Sequence, residues 1–119
     1  MSSSLKSKSL IALRVLFGLA FLAASVMKLS GQPQMVAEFQ QIGLGQWFRL
    51  LTGSIELIGA LLLIRRPTVA IGAALLTCVS IGAFVTQLMV LHGDVIHTLV
   101  FAAAMGWLVY SYRPGRVAA

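Results

Sequence analysis

Four apolar runs, at residues 10–29, 47–64, 68–91 and 95–112, dominate the chain, and each is long enough for a helix that crosses a bilayer. About 17–25 helical residues cover the roughly 30 Å of hydrocarbon in a membrane. None of the runs shows the two-residue alternation of a barrel strand, and helices pair their own backbone polar groups, as hydrocarbon demands. At 100° per residue, each run collects most of its polar side chains on one face. These faces are Arg14, Gly18, Phe21, Ser25 and Lys28; Arg49, Thr52, Gly53, Glu56 and Ala60; Ala73, Thr77, Ser80, Phe84 and Gln87; and His97, Phe101, Ala104, Leu108 and Ser111. They are expected to point inward, where polar atoms find partners.

The connections set the topology. Residues 30–46 form the one substantial loop. In it Pro33 suits a first helical turn, and Met35, Val36, Phe39 and Ile42 recur at helical spacing opposite Gln34, Glu38 and Gln41. The pattern predicts a short amphipathic helix on the outer membrane surface, ended by Gly43 and Gly45, that serves as a packed cap or a functional lid. The other connections, Arg65-Arg66-Pro67 (with Pro67 opening the third helix) and His92-Gly93-Asp94, are tight. Short loops make successive helices antiparallel neighbours. The expected fold is all-α: an integral membrane four-helix bundle, up-down-up-down, forming a single domain over residues 1–119. Residues 1–9 and 114–119 read as poorly ordered tails. The basic start has some look of a signal peptide, but Arg14 interrupts its apolar region and cleavage would leave three spans.

Composition agrees. Hydrophobic residues make up 59% and charged residues 10% of the 119, against about 25% charged in soluble domains. A soluble protein this small could not bury so much apolar surface. The net charge of +6 is a topology signal. With four spans, Lys6, Lys8, Arg65, Arg66, Arg113 and Arg116 share one side, and on the other Lys28 and Arg49 are offset by Glu38 and Asp94. The positive-inside rule puts both termini in the cytoplasm, with the basic side against anionic headgroups rather than nucleic acid. Cys78, the one cysteine, has no disulfide or CxxC partner and reads as a small hydrophobe inside the third span. Trp47, Trp107, Tyr110 and Tyr112 lie near span ends and read as interface anchors. Gly53, Gly59, Ala60, Gly72, Gly82 and residues 102–104 read as places of close helix packing.

Glu56 is the one acid in the span LLTGSIELIGALLLI. A carboxylate at membrane depth costs about 2.5–3.5 kcal/mol and marks a functional site by default. Lys28, Arg49 and Arg14 are its candidate partners. Alternatively, a neutral Glu56 bonds Thr52 or Thr77, because removal from water penalises the charged form. Gln87 and His97 lie in the outer halves of their helices. An ion pair that only sets bundle register is the plainer reading. His92, Asp94 and His97 match no standard metal spacing, haem would need facing histidines, and no nucleophile elbow, phosphate loop or HExxH is present.

With these residues placed, the chain resembles the DoxX-like family of small bacterial membrane proteins. The resemblance rests on RVLFGLAFLAASVMKL (14–29), EFQQIGLGQWFRLLTGSIELIGALLLI (38–64) and GAALLTCVSIGAFVTQL (72–88). Within them lie the Lys28-Leu29 ending, the F-x3-G-L loop and the run G-x2-E-L-x-G-A-x-L-L. The resemblance implies a four-helix bundle in the bacterial cytoplasmic membrane, and some relatives are subunits of membrane redox complexes. The chain would be an accessory subunit at most, with other redox subunits as partners, a homo-oligomer as a further arrangement, and a bound quinone as the ligand. The candidate site is then Glu56, Lys28, Gln87, His97 and Arg49. The alternatives are a small proton-coupled transporter using Glu56 and a membrane scaffold without ligand.

Overall fold

A computed structural model describes residues 3–93 and 95–113. Every regular element among them is helical: α1 (Ser3–Leu29), α2 (Pro33–Ile42), α3 (Gln46–Leu62), α4 (Val69–Thr86) and α5 (Ile96–Tyr112). A 3₁₀ turn at Arg66–Thr68 leads into α4, and a π-helical stretch at Gln87–Leu91 ends it. The body is elongated, 46 × 24 × 20 Å.

The N-terminal tail expected at residues 1–9 is helical from Ser3 onward. No glycine or proline interrupts the segment, so the helix set by the apolar run propagates backwards through it. Asp94 and residues 114–119 lie outside the described residues, and with them the expected C-terminal tail, Arg116 and the aspartate of the histidine motif. The loop helix follows its pattern closely. Pro33 stands in the first turn of α2, Phe39 is buried, and Gly43 takes the left-handed conformation (φ 86°) that lets its N–H reach the Phe39 carbonyl.

Contacts run α1 to α3, α3 to α4 and α4 to α5, while α2 lies against α3 and the π-helical stretch. Two pairs fix the directions. Arg14, in the first half of α1, reaches the carbonyls after the end of α3, whereas Arg49, near the start of α3, reaches the Lys28 carbonyl at the end of α1, so α1 and α3 are antiparallel. Gly59 faces Leu76 while Leu62 faces Gly72, which makes α3 and α4 antiparallel as well. Between α1 and α5, Phe101 meets Phe17 and Phe21 edge-on at 5.0 and 5.2 Å, in a favourable aromatic geometry. Leu63, Val69, Ala73, Leu76, Met105 and Leu108 fill the centre.

Polarity is inverted relative to a water-soluble protein. Ser25, Glu56, Ser80, Thr98 and Ser111 are buried, whereas Leu16, Ile64 and Met89 are 64%, 68% and 68% exposed. So wide an apolar exterior marks contact with another apolar phase. The inward faces read from the sequence are buried or half-buried, except at His97, which is exposed on the first turn of α5. Cys78, inside α4 as expected, is not buried: it shares an exposed stripe with Ala74, Ile81 and Val85. Tyr112 is half-buried, with the Arg14 guanidinium 5.4 Å from its ring centre.

Close packing rests on two glycines. A methyl group on Gly72 would sit 2.8 Å from the Gly59 carbonyl and 2.7 Å from Leu62 Cβ. Gly82, expected in such a contact, faces open space. Gly72→Ala should therefore cost about 1–3 kcal/mol by forcing α3 and α4 apart. Gly82→Ala should be neutral or stabilising by about 0.5–1 kcal/mol. Thermal unfolding in detergent, followed by circular dichroism, distinguishes the two.

Candidate functional site

Lys28 and Glu56 form an ion pair, Nζ to Oε1 2.6 Å, with side-chain exposures of 15% and 5%. The helix geometry explains why these two meet. Each Cα–Cβ bond tilts toward its own helix N-terminus. Lys28, one residue from the end of α1, therefore leans back along the helix toward its interior. Glu56, about 4.5 Å deeper than Gly53, leans on the antiparallel α3 toward the Lys28 level. Gly53 leaves the passage open: a methyl there would meet Lys28 Cβ at 3.0 Å and Leu29 Cγ at 3.1 Å.

The same tilt carries the other two candidate partners away from Glu56. Arg49, near the start of α3, leans outward, where its Nη1 donates to the Lys28 carbonyl at the end of α1. Its Nε donates to Gln46 Oε1 at 2.7 Å, and Gln46 Nε2 donates to the Val36 carbonyl of α2 at 3.1 Å. Arg14 leans toward the start of α1. Its Nε donates to the Leu63 carbonyl at 2.9 Å and its Nη2 to that of Ile64 at 2.7 Å. Each helix thus lends an arginine to the last carbonyls of its neighbour, where the helix dipole also favours a cation.

Among the described residues, no hydrogen bond joins Glu56 to either threonine. Thr52 donates to Phe48 O and Thr77 to Ala73 O, each four residues back in its own helix. Such back-bonding is the default for a hydroxyl inside a helix.

The remaining candidates stand apart from the pair. Gln87 opens the π-helical stretch, and its Oε1 lies close against Gly93. His97 is exposed and meets Phe101 edge-on at 6.2 Å. Near them α2 touches the π-helical stretch, with Gln41 Nε2 3.5 Å from the Val90 carbonyl. Sequence reasoning named the ion pair's members but missed Gln46, which ties α2 to Arg49 and hence to Lys28. Its position one helical turn before Arg49 was the available signal.

A model of the DoxX-like family matches residues 12–111. The chain belongs to the DoxX-like family. The match contains Arg14, Lys28, Val36, Gln46, Arg49 and Glu56, and therefore the whole network. Comparison with the curated proteins and with the solved structures finds no match. Family membership, together with two helical stretches long and apolar enough to cross a bilayer, Ser4–Leu29 and Arg66–Leu91, makes this DoxX-like chain a membrane protein in contact with lipid.

Removing one partner of a buried pair strands the other charge, at a cost of about 3–5 kcal/mol, whereas replacing both with apolar residues is often neutral. Lys28→Met and Glu56→Leu should each strongly destabilise this DoxX-like protein. The double variant should recover most of the loss. Unfolding free energies in detergent complete the cycle, and additive losses would exclude a coupled pair.

Proposed function

We propose that the chain is a single multi-pass membrane domain: a four-helix bundle of the bacterial cytoplasmic membrane, with both termini cytoplasmic. Helices α1, α3, α4 and α5 are its spans. Lys6, Lys8, Arg65 and Arg66 mark its cytoplasmic side under the positive-inside rule, and α2 lies on the outer face. Within that frame it acts as a non-catalytic, ligand-binding subunit of a membrane redox complex.

The observation that carries this reading is the buried Lys28–Glu56 pair. Charge inside a membrane bundle is costly and is associated with ligand and ion sites. The ammonium has three N–H donors; one goes to Glu56 Oε1, and two remain for a ligand. Lysine is also the more exposed partner, so an incoming molecule meets donors first. A ligand that fits carries acceptor oxygens on an otherwise apolar body, as a quinone does. The pair supports this role over proton-coupled export, which asks Glu56 to exchange its partner for a proton on every cycle. With Lys28 beside it, the carboxylate is already neutralised by charge.

Gentle purification from native membranes, followed by solvent extraction and mass spectrometry, should recover a quinone together with redox subunits. Lys28→Met should lose the quinone by at least tenfold, whereas Gly82→Ala retains it. Recovery of neither a quinone nor a redox partner with the unaltered chain would count decisively against the reading. Proton-driven substrate uptake into proteoliposomes, abolished by Glu56→Gln, would establish export instead.

A further inference from the structure

At the opposite end of the α1–α3 pair from Lys28, a groove of about 370 Å³ opens between the two helices. Ile11, Val15, Leu19 and Leu22 form one wall, with Leu61 and Ile64 on the other. Gly18 hollows the floor: a methyl there would meet only Leu63 Cδ1, at 3.8 Å. From Ile11 to Leu22 the groove runs about 16 Å along α1. One leaflet is half of the roughly 30 Å hydrocarbon layer, so this length matches a single acyl chain.

The mouth of the groove is basic. Lys8, Ile11, Val15, Leu19 and Leu22 follow one another at spacings of three or four residues, so Lys8 continues the apolar wall on the same face of α1. Arg65 and Arg66 follow Ile64 directly, at the end of the other wall. All three are exposed, and none makes an ion pair among the described residues. No described carboxylate shares this end: Glu38 is on α2 and Glu56 lies on α3, paired with Lys28. Arg14 lines the groove too, but its guanidinium is committed to the Leu63 and Ile64 carbonyls.

We propose that this groove is a binding site for an anionic phospholipid, with one acyl chain lying between α1 and α3 and the headgroup phosphate held by Lys8, Arg65 and Arg66. The apolar channel and the unpaired cations at its mouth match the two halves of such a molecule. Basic residues beside a membrane attract anionic lipid, and here a groove of chain length fixes where that lipid sits. The site uses neither Lys28 nor Glu56, so it stands or falls independently of the quinone reading.

The full chain, purified in a neutral detergent, is mixed with equal amounts of dioleoyl phosphatidylglycerol and dioleoyl phosphatidylcholine, and bound lipid is read by native mass spectrometry. The expected result is selective retention of phosphatidylglycerol. The preference should fall about fivefold for each arginine changed in Arg65→Gln and Arg66→Gln. Gly18→Leu fills the groove and should abolish retention of both lipids, while Gly18→Ala serves as the folding control. Equal retention of the two lipids, a preference that survives the double arginine change, or retention unaffected by Gly18→Leu would overturn the proposal. Displacement of phosphatidylglycerol by an added isoprenoid quinone would overturn it too, by assigning the groove to a different ligand.

Discussion

The antiparallel register of α1 against α3 is the constraint on which the other contacts depend. It is set at three levels along the pair. At one end Arg49 reaches the last turn of α1, at the other Arg14 reaches past the last turn of α3, and between them Lys28 meets Glu56. Helix geometry makes these contacts consequences of a single arrangement. Side chains lean toward the N-terminus of their own helix, so on antiparallel neighbours an early residue reaches outward to the partner's final carbonyls. A late residue on one helix and a mid-helix residue on the other lean toward each other. Sliding α1 by one turn would break all three contacts together, and that is why the register is well specified.

The energetic roles of the charges differ. The two arginines satisfy carbonyls that a helix end leaves without partners, and the guanidinium fork allows Arg14 to serve two carbonyls at once. The central pair is different. Its Coulombic attraction is offset by removing both ions from water, so stability alone gives little reason for it. The hydrogen-bond path from Val36 through Gln46 and Arg49 to the Lys28 carbonyl adds a second consequence. It fastens the amphipathic α2 to the end of α1 that carries the ion pair. A displacement of α2 would therefore act on Arg49 and on the last turn of α1 before reaching Lys28.

Much of this was legible in residue spacing, and the misses have physical causes. Pro33, Phe39 and Gly43 specify α2 through local chemistry, so its limits follow from sequence. The choice among Lys28, Arg49 and Arg14 required the direction of each Cβ as well as its depth, and periodicity gives only depth and face. Cys78 faces outward because it stands about 100° round α4 from Thr77, off the inward polar face. The polar run Ser3 to Ser9 suggests a tail, but polarity without glycine or proline does not end a helix. The π-helical stretch at Gln87–Leu91 arises beside α2 and has no sequence signal of its own. Gln87 and His97, grouped with Glu56 on depth, belong instead to the region of the α4–α5 connection.

The two ends of the α1–α3 pair therefore present opposite chemistry to the membrane around them. Near α2, charge is folded inward and neutralised within the protein, leaving lysine N–H groups as spare donors. Near the α3–α4 turn, Lys8, Arg65 and Arg66 remain unpaired and face outward beside an apolar groove. A carboxylate at the second end would neutralise those cations, as Glu56 does Lys28. Among the described residues, the acids are instead found on α2 and at the Lys28 pair. This asymmetry gives the basic end a reason to engage an external anion, while the paired end is suited to an uncharged ligand that accepts hydrogen bonds without displacing Glu56. Placing a net charge in the interior would cost several kcal/mol, whereas a neutral acceptor leaves the pair intact. The chemistry of the pair thus limits the proposed ligand more tightly than the shape of the surrounding helices does.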